Sequence, residues 1–399
     1  MKILKVNTRE TADTITLFAK CKIRRVGYDE VHFTFSKKYK PFLKVDASPF
    51  AAALLIPSMK QGEDLIIEGT ISKELYEGMQ QIMQIFLSWD IGLKPIKIIA
   101  SKLVADTANP KVTASFFSGG VDSFYTYLKR KKDVKDPVTH LLLVNGYDID
   151  PRNKKLWNAT LASVQAVAKV EHAHLIEVES NIRGLIDPIL SWDFAHGGCL
   201  AAVALCLRKG LKQVYIPSSC IESRQIPWGT HLDVDAHWGT EKLAFAHDGT
   251  EATRVNKIGW QVAKSPTALK YLRVCYMNEK GAFNCGVCEK CLRTMMNLYV
   301  AGVLDAAETF PHHIDPRRVA DLHIEGHNRD LHLENLVALQ ARGTAPELHD
   351  TLQESLTHVT DDDSLPFVKR MAMYAVYLDH VYTRGALYKV AQGALGRKF

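Results

Sequence analysis

The sequence predicts a doubly wound α/β domain at its centre, and three observations predict it. After Asn109-Pro110, short strand-like runs alternate with helical ones, the pattern that builds a parallel sheet through right-handed crossovers. Those runs are almost continuously apolar, as strands covered on both faces require. A Ser/Gly-rich turn, Ser118-Gly119-Gly120-Val121-Asp122-Ser123, sits at the first strand-to-helix junction. The chain divides into a small α+β module over 1–105, the α/β domain with a cysteine knuckle over 106–303, and a mainly helical extension over 304–399.

In the first module the candidate strands are Thr14–Ile23, Glu30–Phe35 and Asp64–Ile71. Ser72 is a plausible N-cap, with Glu74 in the first turn of the helix it opens. Leu75, Met79, Ile82, Met83, Phe86 and Leu87 then form one apolar helical face, best explained by core packing. Ile96–Val104 closes the module, which shows no catalytic constellation. In the α/β domain, Val112–Phe117 leads to a helix from about Val121. Thr139–Val144 leads to one near Lys154–Lys169. His174–Val178 leads, after a connection, to His196–Lys209, and Gln213–Pro217 follows. From Cys220 to Lys270 the chain reads as loop-rich. Helices are expected at Asn328–Arg342, Pro346–His358 and Pro366–Tyr382.

Composition narrows the function. The 399 residues are 47% hydrophobic, enough for a sizeable core. No run of about 18 apolar residues exists to cross a membrane, and Met1-Lys2-Ile3-Leu4-Lys5 does not read as a secretory signal. A cytoplasmic location is expected. The net charge of +6 suits anionic ligands such as nucleotides but is too weak to argue for a nucleic-acid groove.

The turn at 118–123 has the physics of a phosphate site. A helix N-terminus offers unpaired N–H groups and a partial positive charge. Gly119 and Gly120 let the backbone approach closely, and Ser118 and Ser123 can donate hydroxyl hydrogen bonds. Asp122 beside an anion makes sense if it orders the loop or holds Mg²⁺. Asn145-Gly146 follows the second strand and is either an ordinary turn or part of an adenosine pocket. Farther on, Cys275, Cys285, Cys288 and Cys291 fall within 17 residues. Gly286 permits the tight turn of a knuckle, and four thiolates suit tetrahedral Zn²⁺, with an iron–sulfur cluster as the competitor.

Ser118–Ser123 matches the SGGxDS signature of PP-loop ATP pyrophosphatases, and it lacks the spacing and lysine of a Walker loop. With Arg273-Val274-Cys275-Tyr276 and Asn284-Cys285-Gly286-Val287-Cys288-Glu289-Lys290-Cys291-Leu292-Arg293, the central chain resembles the 7-cyano-7-deazaguanine synthase (QueC) family over about residues 110–300. The resemblance implies a HUP-like fold of the adenine nucleotide alpha hydrolase type. It also implies ATP with Mg²⁺, structural Zn²⁺, and adenylation of a deazaguanine carboxylate, followed by amine attack to an amide or nitrile. The acceptor would be ammonia or a protein amine. The added terminal regions suggest a specialised paralogue. QueC-like proteins also occur in anti-phage operons, where such regions would dock a partner protein. The family's substrate segment is replaced here by Ser219–His231; its Arg224 is a candidate for binding a carboxylate or phosphate, and His196 and His231 are weaker ones. Arg293 is expected to anchor its helix. A tRNA thiolation enzyme of the PP-loop class, with Cys199 or Cys206 as its nucleophile, and a non-catalytic nucleotide scaffold are the rival readings.

Overall fold

The computed structural model describes residues 1–23, 27–324 and 326–357. The expected helix at Pro366–Tyr382 and the end of Pro346–His358 lie outside the described residues.

Ten strands form a single sheet: β1 (Lys2–Glu10), β2 (Thr14–Ile23), β3 (Gly27–Ser36), β4 (Leu65–Ser72), β5 (Ile98–Val104), β6 (Val112–Phe116), β7 (His140–Asn145), β8 (His174–Ser180), β9 (Leu211–Pro217) and β10 (Ala244–Asp248). Their spatial order is β10-β9-β6-β7-β8-β3-β2-β1-β4-β5. β6 to β10 pair with one another only in parallel. β6 has β7 on one side and β9 on the other, so the chain reverses its direction of winding beside β6. The crevice at that switch point, beyond the carboxyl ends of β6 and β9, is where open α/β sheets bind ligands.

The boundary expected near residue 105 is not a break in hydrogen bonding. β3 pairs antiparallel with β8, Phe33 opposite Ser180 and Phe35 opposite Val178, so the amino-terminal strands extend the same sheet.

The α-helices among the described residues are α1 (Ser48–Gln61), α2 (Lys73–Ser88), α3 (Val121–Arg130), α4 (Lys154–Val170), α5 (Ile182–Ile186), α6 (Trp192–Cys206), α7 (Arg254–Trp260), α8 (Pro266–Tyr271), α9 (Glu289–Val300), α10 (Pro316–Ala320), α11 (His327–Arg342) and α12 (Pro346–Thr357). Ser72 caps α2 as expected, accepting the Leu75 N–H at 3.1 Å.

Each sheet face carries its own core. Leu142 points into one core, with α1, α2 and α6. Its neighbours Leu141 and Leu143 point into the other, with α3, α4, α9 and the knuckle. That is the period-two alternation of a strand buried on both faces. α1 and α6 approach so closely that a Cβ on Gly198 would lie 2.5 Å from the Ala52 carbonyl oxygen. Nearby, buried Arg208 pairs with Asp46 and, at 2.7 Å, with Asp106. This network ties α6 to the chain on either side of the amino-terminal layer.

Candidate nucleotide site and metal knuckle

The expected phosphate loop lies at the switch point, between β6 and α3. Gly119 is left-handed, with φ +79°, a conformation that costs other residues energy. Gly120 is the N-cap of α3 in an extended conformation. The first amide of this turn to find a backbone acceptor is Phe124, bonded to the Gly120 carbonyl at 3.0 Å. The amides before it, from Gly119 to Ser123, have no acceptor among the described residues. They form the unpaired set that a helix start offers to an anion. Ser123 differs from expectation: its hydroxyl donates to the Gly120 carbonyl at 3.0 Å. It therefore braces the turn, and Ser118 is the hydroxyl left for a ligand.

Asp122 is the centre of an ion cluster. Its carboxylate accepts from Arg254 Nη2 at 2.7 Å, Lys257 Nζ at 3.0 Å and Ser219 Oγ at 3.1 Å. Burial pushes its carboxyl up, but the Arg254 and Lys257 charges and the Lys257 and Ser219 hydrogen bonds outweigh burial and hold it at about 2. Lys257 is fully buried and also donates to the Ser218 carbonyl at 2.5 Å. An aspartate gripped by two cations orders the loop; with its oxygens so engaged, it does not fit the Mg²⁺-ligand alternative.

Arg254 and Lys257 are the residues that sequence reasoning missed; Ser219 was named only as the start of the 219–231 segment. Arg254 and Lys257 stand one turn apart on α7, hence on one face, and Thr253 caps that helix by accepting the Asn256 N–H at 3.1 Å. That cap before an i, i+3 cationic pair was the available signal. It lay inside a stretch read as loop, which also contains β10.

Arg224 lies at the rim. Its side chain is 44% exposed and sits 3.6 Å from Glu334 of α11. The other Glu334 oxygen accepts the Arg254 N–H at 3.0 Å, so the carboxyl-terminal helices reach the crevice. Asn145, at the end of β7, has a buried Oδ1 without a partner. Gly146 has φ +93°, and a Cβ there would lie 2.2 Å from the Ser180 carbonyl oxygen. His196 has both ring nitrogens engaged, with the Trp192 carbonyl at 3.0 Å and Thr230 Oγ1 at 3.2 Å. His231 packs its ring edge-on against Trp89. Both rings are held by contacts within the fold.

The four knuckle cysteines converge. Their sulfurs all lie within 4.8 Å of one another, with Cys275 3.4 Å from Cys285 and 3.7 Å from Cys288, and Cys285 3.9 Å from Cys291. A tetrahedral ion with arms of about 2.3 Å sets its sulfurs about 3.8 Å apart, so the cluster is compatible with Zn²⁺. A polynuclear iron–sulfur cluster attaches its thiolates to more than one iron and spreads them wider. Backbone amides of Asn278 and Cys288 already point at the Cys275 and Cys285 sulfurs, at 3.1 and 3.4 Å. Hydrogen bonds from the Cys288 and Cys291 thiols pull Cys275 toward its thiolate. Gly286 has φ +71°, and a Cβ there would lie 2.5 Å from Pro311, so both conformation and space select glycine. Beyond the knuckle, Arg293 is buried, 3.2 Å from Glu289 and bonded to Asn328 of α11 at 3.3 Å. It anchors α9, as expected.

No helix among the described residues is long and apolar enough to cross a membrane. No family model matches the chain, and neither a curated protein nor a solved structure does.

Proposed function

We propose that the protein is an ATP-dependent ligase of the QueC-like, PP-loop type, activating a carboxylate as its adenylate with release of pyrophosphate. The observation that carries this reading is the juxtaposition at the switch point: unpaired amides from Gly119 to Ser123 beside Asp122, with Arg254 and Lys257 on its carboxylate. In the proposed reaction the amides and the Ser118 hydroxyl grip the β- and γ-phosphates of ATP. A substrate carboxylate oxygen bonds to the α-phosphorus. The bond from that phosphorus to the bridging oxygen breaks, and its electron pair leaves with the diphosphate. Arg254 and Lys257 together carry one positive charge more than the Asp122 carboxylate they hold, and the field of that excess charge helps offset the charge that develops there. An amine then attacks the acyl carbon, loses a proton, and AMP departs to leave an amide.

The substrate follows from the sequence resemblance: a 7-carboxy-7-deazaguanine-like acid, with ammonia or a partner protein's amine as acceptor. Arg224, paired only loosely with Glu334, is the side chain available to its carboxylate. Zn²⁺ at the knuckle would have a closed, structural role: Cys275, Cys285, Cys288 and Cys291 would hold it with four sulfurs and leave no position for water or substrate. Mg²⁺ would travel with ATP and be held by its phosphates.

The tRNA thiolation reading needs a reactive thiolate near the loop. Cys199 and Cys206 are fully buried, and burial pushes both thiols far up. Cys220 does lie beside Asp122, but burial, then the Asp122 charge, pushes it up to about 11. The ligase reading is therefore preferred. Incubation with ATP and 7-carboxy-7-deazaguanine is expected to yield AMP and pyrophosphate; ADP and phosphate would reject it.

A further inference from the structure

The segment between α8 and Cys275 touches both the knuckle and the phosphate loop. The Arg273 N–H donates to the Gly119 carbonyl at 2.8 Å. The Tyr271 carbonyl oxygen and the Arg273 Cβ each stand 3.9 Å from where a Gly119 Cβ would project, and the Arg273 carbonyl oxygen 3.6 Å from that of Gly120. The segment thus runs along both glycines that shape the turn. On its other side it is fastened by buried Asn284, and the Thr309 hydroxyl adds a bond to the Leu272 carbonyl at 2.6 Å. Asn284 Oδ1 accepts the Val274 N–H at 2.9 Å and the Cys275 N–H at 3.2 Å, and its Nδ2 donates to the Leu272 carbonyl at 2.9 Å. Asn284 directly precedes Cys285. The Arg273 guanidinium adds a bond to the Cys275 carbonyl at 3.3 Å.

We propose that Asn284 is a positioning residue that splints residues 272–275 to the metal knuckle, so that metal occupancy at the four cysteines holds the phosphate loop in its anion-gripping shape. Glycine backbone gains the most freedom when released, and a row of unpaired amides serves an anion only if it is fixed before the anion arrives. The loop's one backbone tether outside its own strand and helix junctions is Arg273 N–H to Gly119, among the described residues. That tether is as rigid as the knuckle behind it, and a cysteine knuckle draws its rigidity from its ion. The consequence for nucleotide affinity rests on the reading of the loop as a phosphate site; the splint itself does not.

The test is amide hydrogen exchange on the full, zinc-loaded chain, comparing the unmodified protein with Asn284→Ala and Asn284→Asp, with zinc content measured on each. Asn284→Ala, which removes three hydrogen bonds, is expected to speed exchange about tenfold at the hydrogen-bonded amides that hold the loop, Arg273 and Phe124, while β2 and β4 keep their protection. Asn284→Asp, which retains the Oδ1 acceptor, should fall between. Inorganic pyrophosphate binding should weaken in the same order. Loop protection unchanged in Asn284→Ala, while residues 275–291 exchange faster, overturns the proposal. If that variant fails to hold zinc, chelator-treated unmodified protein takes its place, and a loop that stays protected without metal overturns it equally. An unmodified protein that responds as expected in exchange yet binds no pyrophosphate would support the splint and count only against the nucleotide reading.

Discussion

At the scale of single residues, Asp122 joins the loop to its cations. Its folded pKa of about 2 lies below the ordinary value of 3.8, so its ionisation stabilises the fold. That contribution is complete above about pH 4 and is lost as pH falls toward 2, and it amounts to about 2 kcal/mol. Asp122→Asn should therefore be less stable than the parent at pH 7, with fully buried Lys257 left without its counter-charge. The gap should narrow at pH 3. Urea unfolding at the two pH values checks this, and a gap of constant size would exclude Asp122 as the titrating group. Gly120→Ala separates folding from binding. Gly120 has an ordinary extended backbone, and its new Cβ would meet only the Ser118 hydroxyl, at 3.3 Å, and the Arg273 carbonyl, at 3.6 Å. The variant should fold with a melting temperature within a few degrees of the parent and lose ATP binding by tenfold or more, about 1.4 kcal/mol. Unchanged ATP affinity, read by calorimetry, would move the nucleotide away from this turn. The six-residue loop motif was legible because its chemistry is contiguous; the partners of Asp122 were not, because Ser219 and Arg254 are brought to it from 97 and 132 positions away.

At the scale of elements, legibility follows periodicity. α2 has one apolar face and a capping serine, and its start was read to the residue. α1 was missed because it has no polar face to mark it. Every position from Ser48 to Met59 is buried, so the 3.6-residue stripe that betrays an amphipathic helix is absent. β10 was missed for another reason: Ala244–Asp248 is a five-residue edge strand, too short for alternation to stand out. The knuckle shows the opposite behaviour. Its ligands are close in sequence, so spacing alone located it. Gly286→Ala should strain the turn by roughly 1 kcal/mol or more and collide with Pro311. The expected result is weaker zinc retention against a competing chelator, with a lower melting temperature. Chelating the metal from the unmodified protein should lower the melting temperature as well; an unchanged melting curve would argue against a structural ion.

At the scale of the whole molecule, the seam is the decisive feature. β3 lies on β8, and α1 lies on α6 where Gly198 leaves room for only a backbone. Gly198→Val should force these helices apart at a cost of about 1–3 kcal/mol, and it should lower the stability of the parallel-sheet half as much as that of the amino-terminal half. Two separate unfolding transitions would contradict that coupling. Deleting residues 1–105 should expose the open edge of β8 and the apolar face of α6. Such an edge pairs with other chains, so the shortened protein is expected to aggregate. A soluble, monodisperse fragment in size-exclusion chromatography would show that the seam is dispensable.

The sequence by itself determined what is local: the parallel-strand pattern, the glycine turn at a helix start, and four cysteines spaced to surround one ion. Each is encoded by neighbours within a few residues, so the chain carries the signal wherever it folds. Only the tertiary structure decided which cations face Asp122, that Glu334 comes from the carboxyl-terminal helices to the Arg254 amide, and that the first hundred residues complete one sheet with the rest. These depend on contacts between distant segments, whose pairing is selected by burial and hydrogen-bond satisfaction across the whole fold.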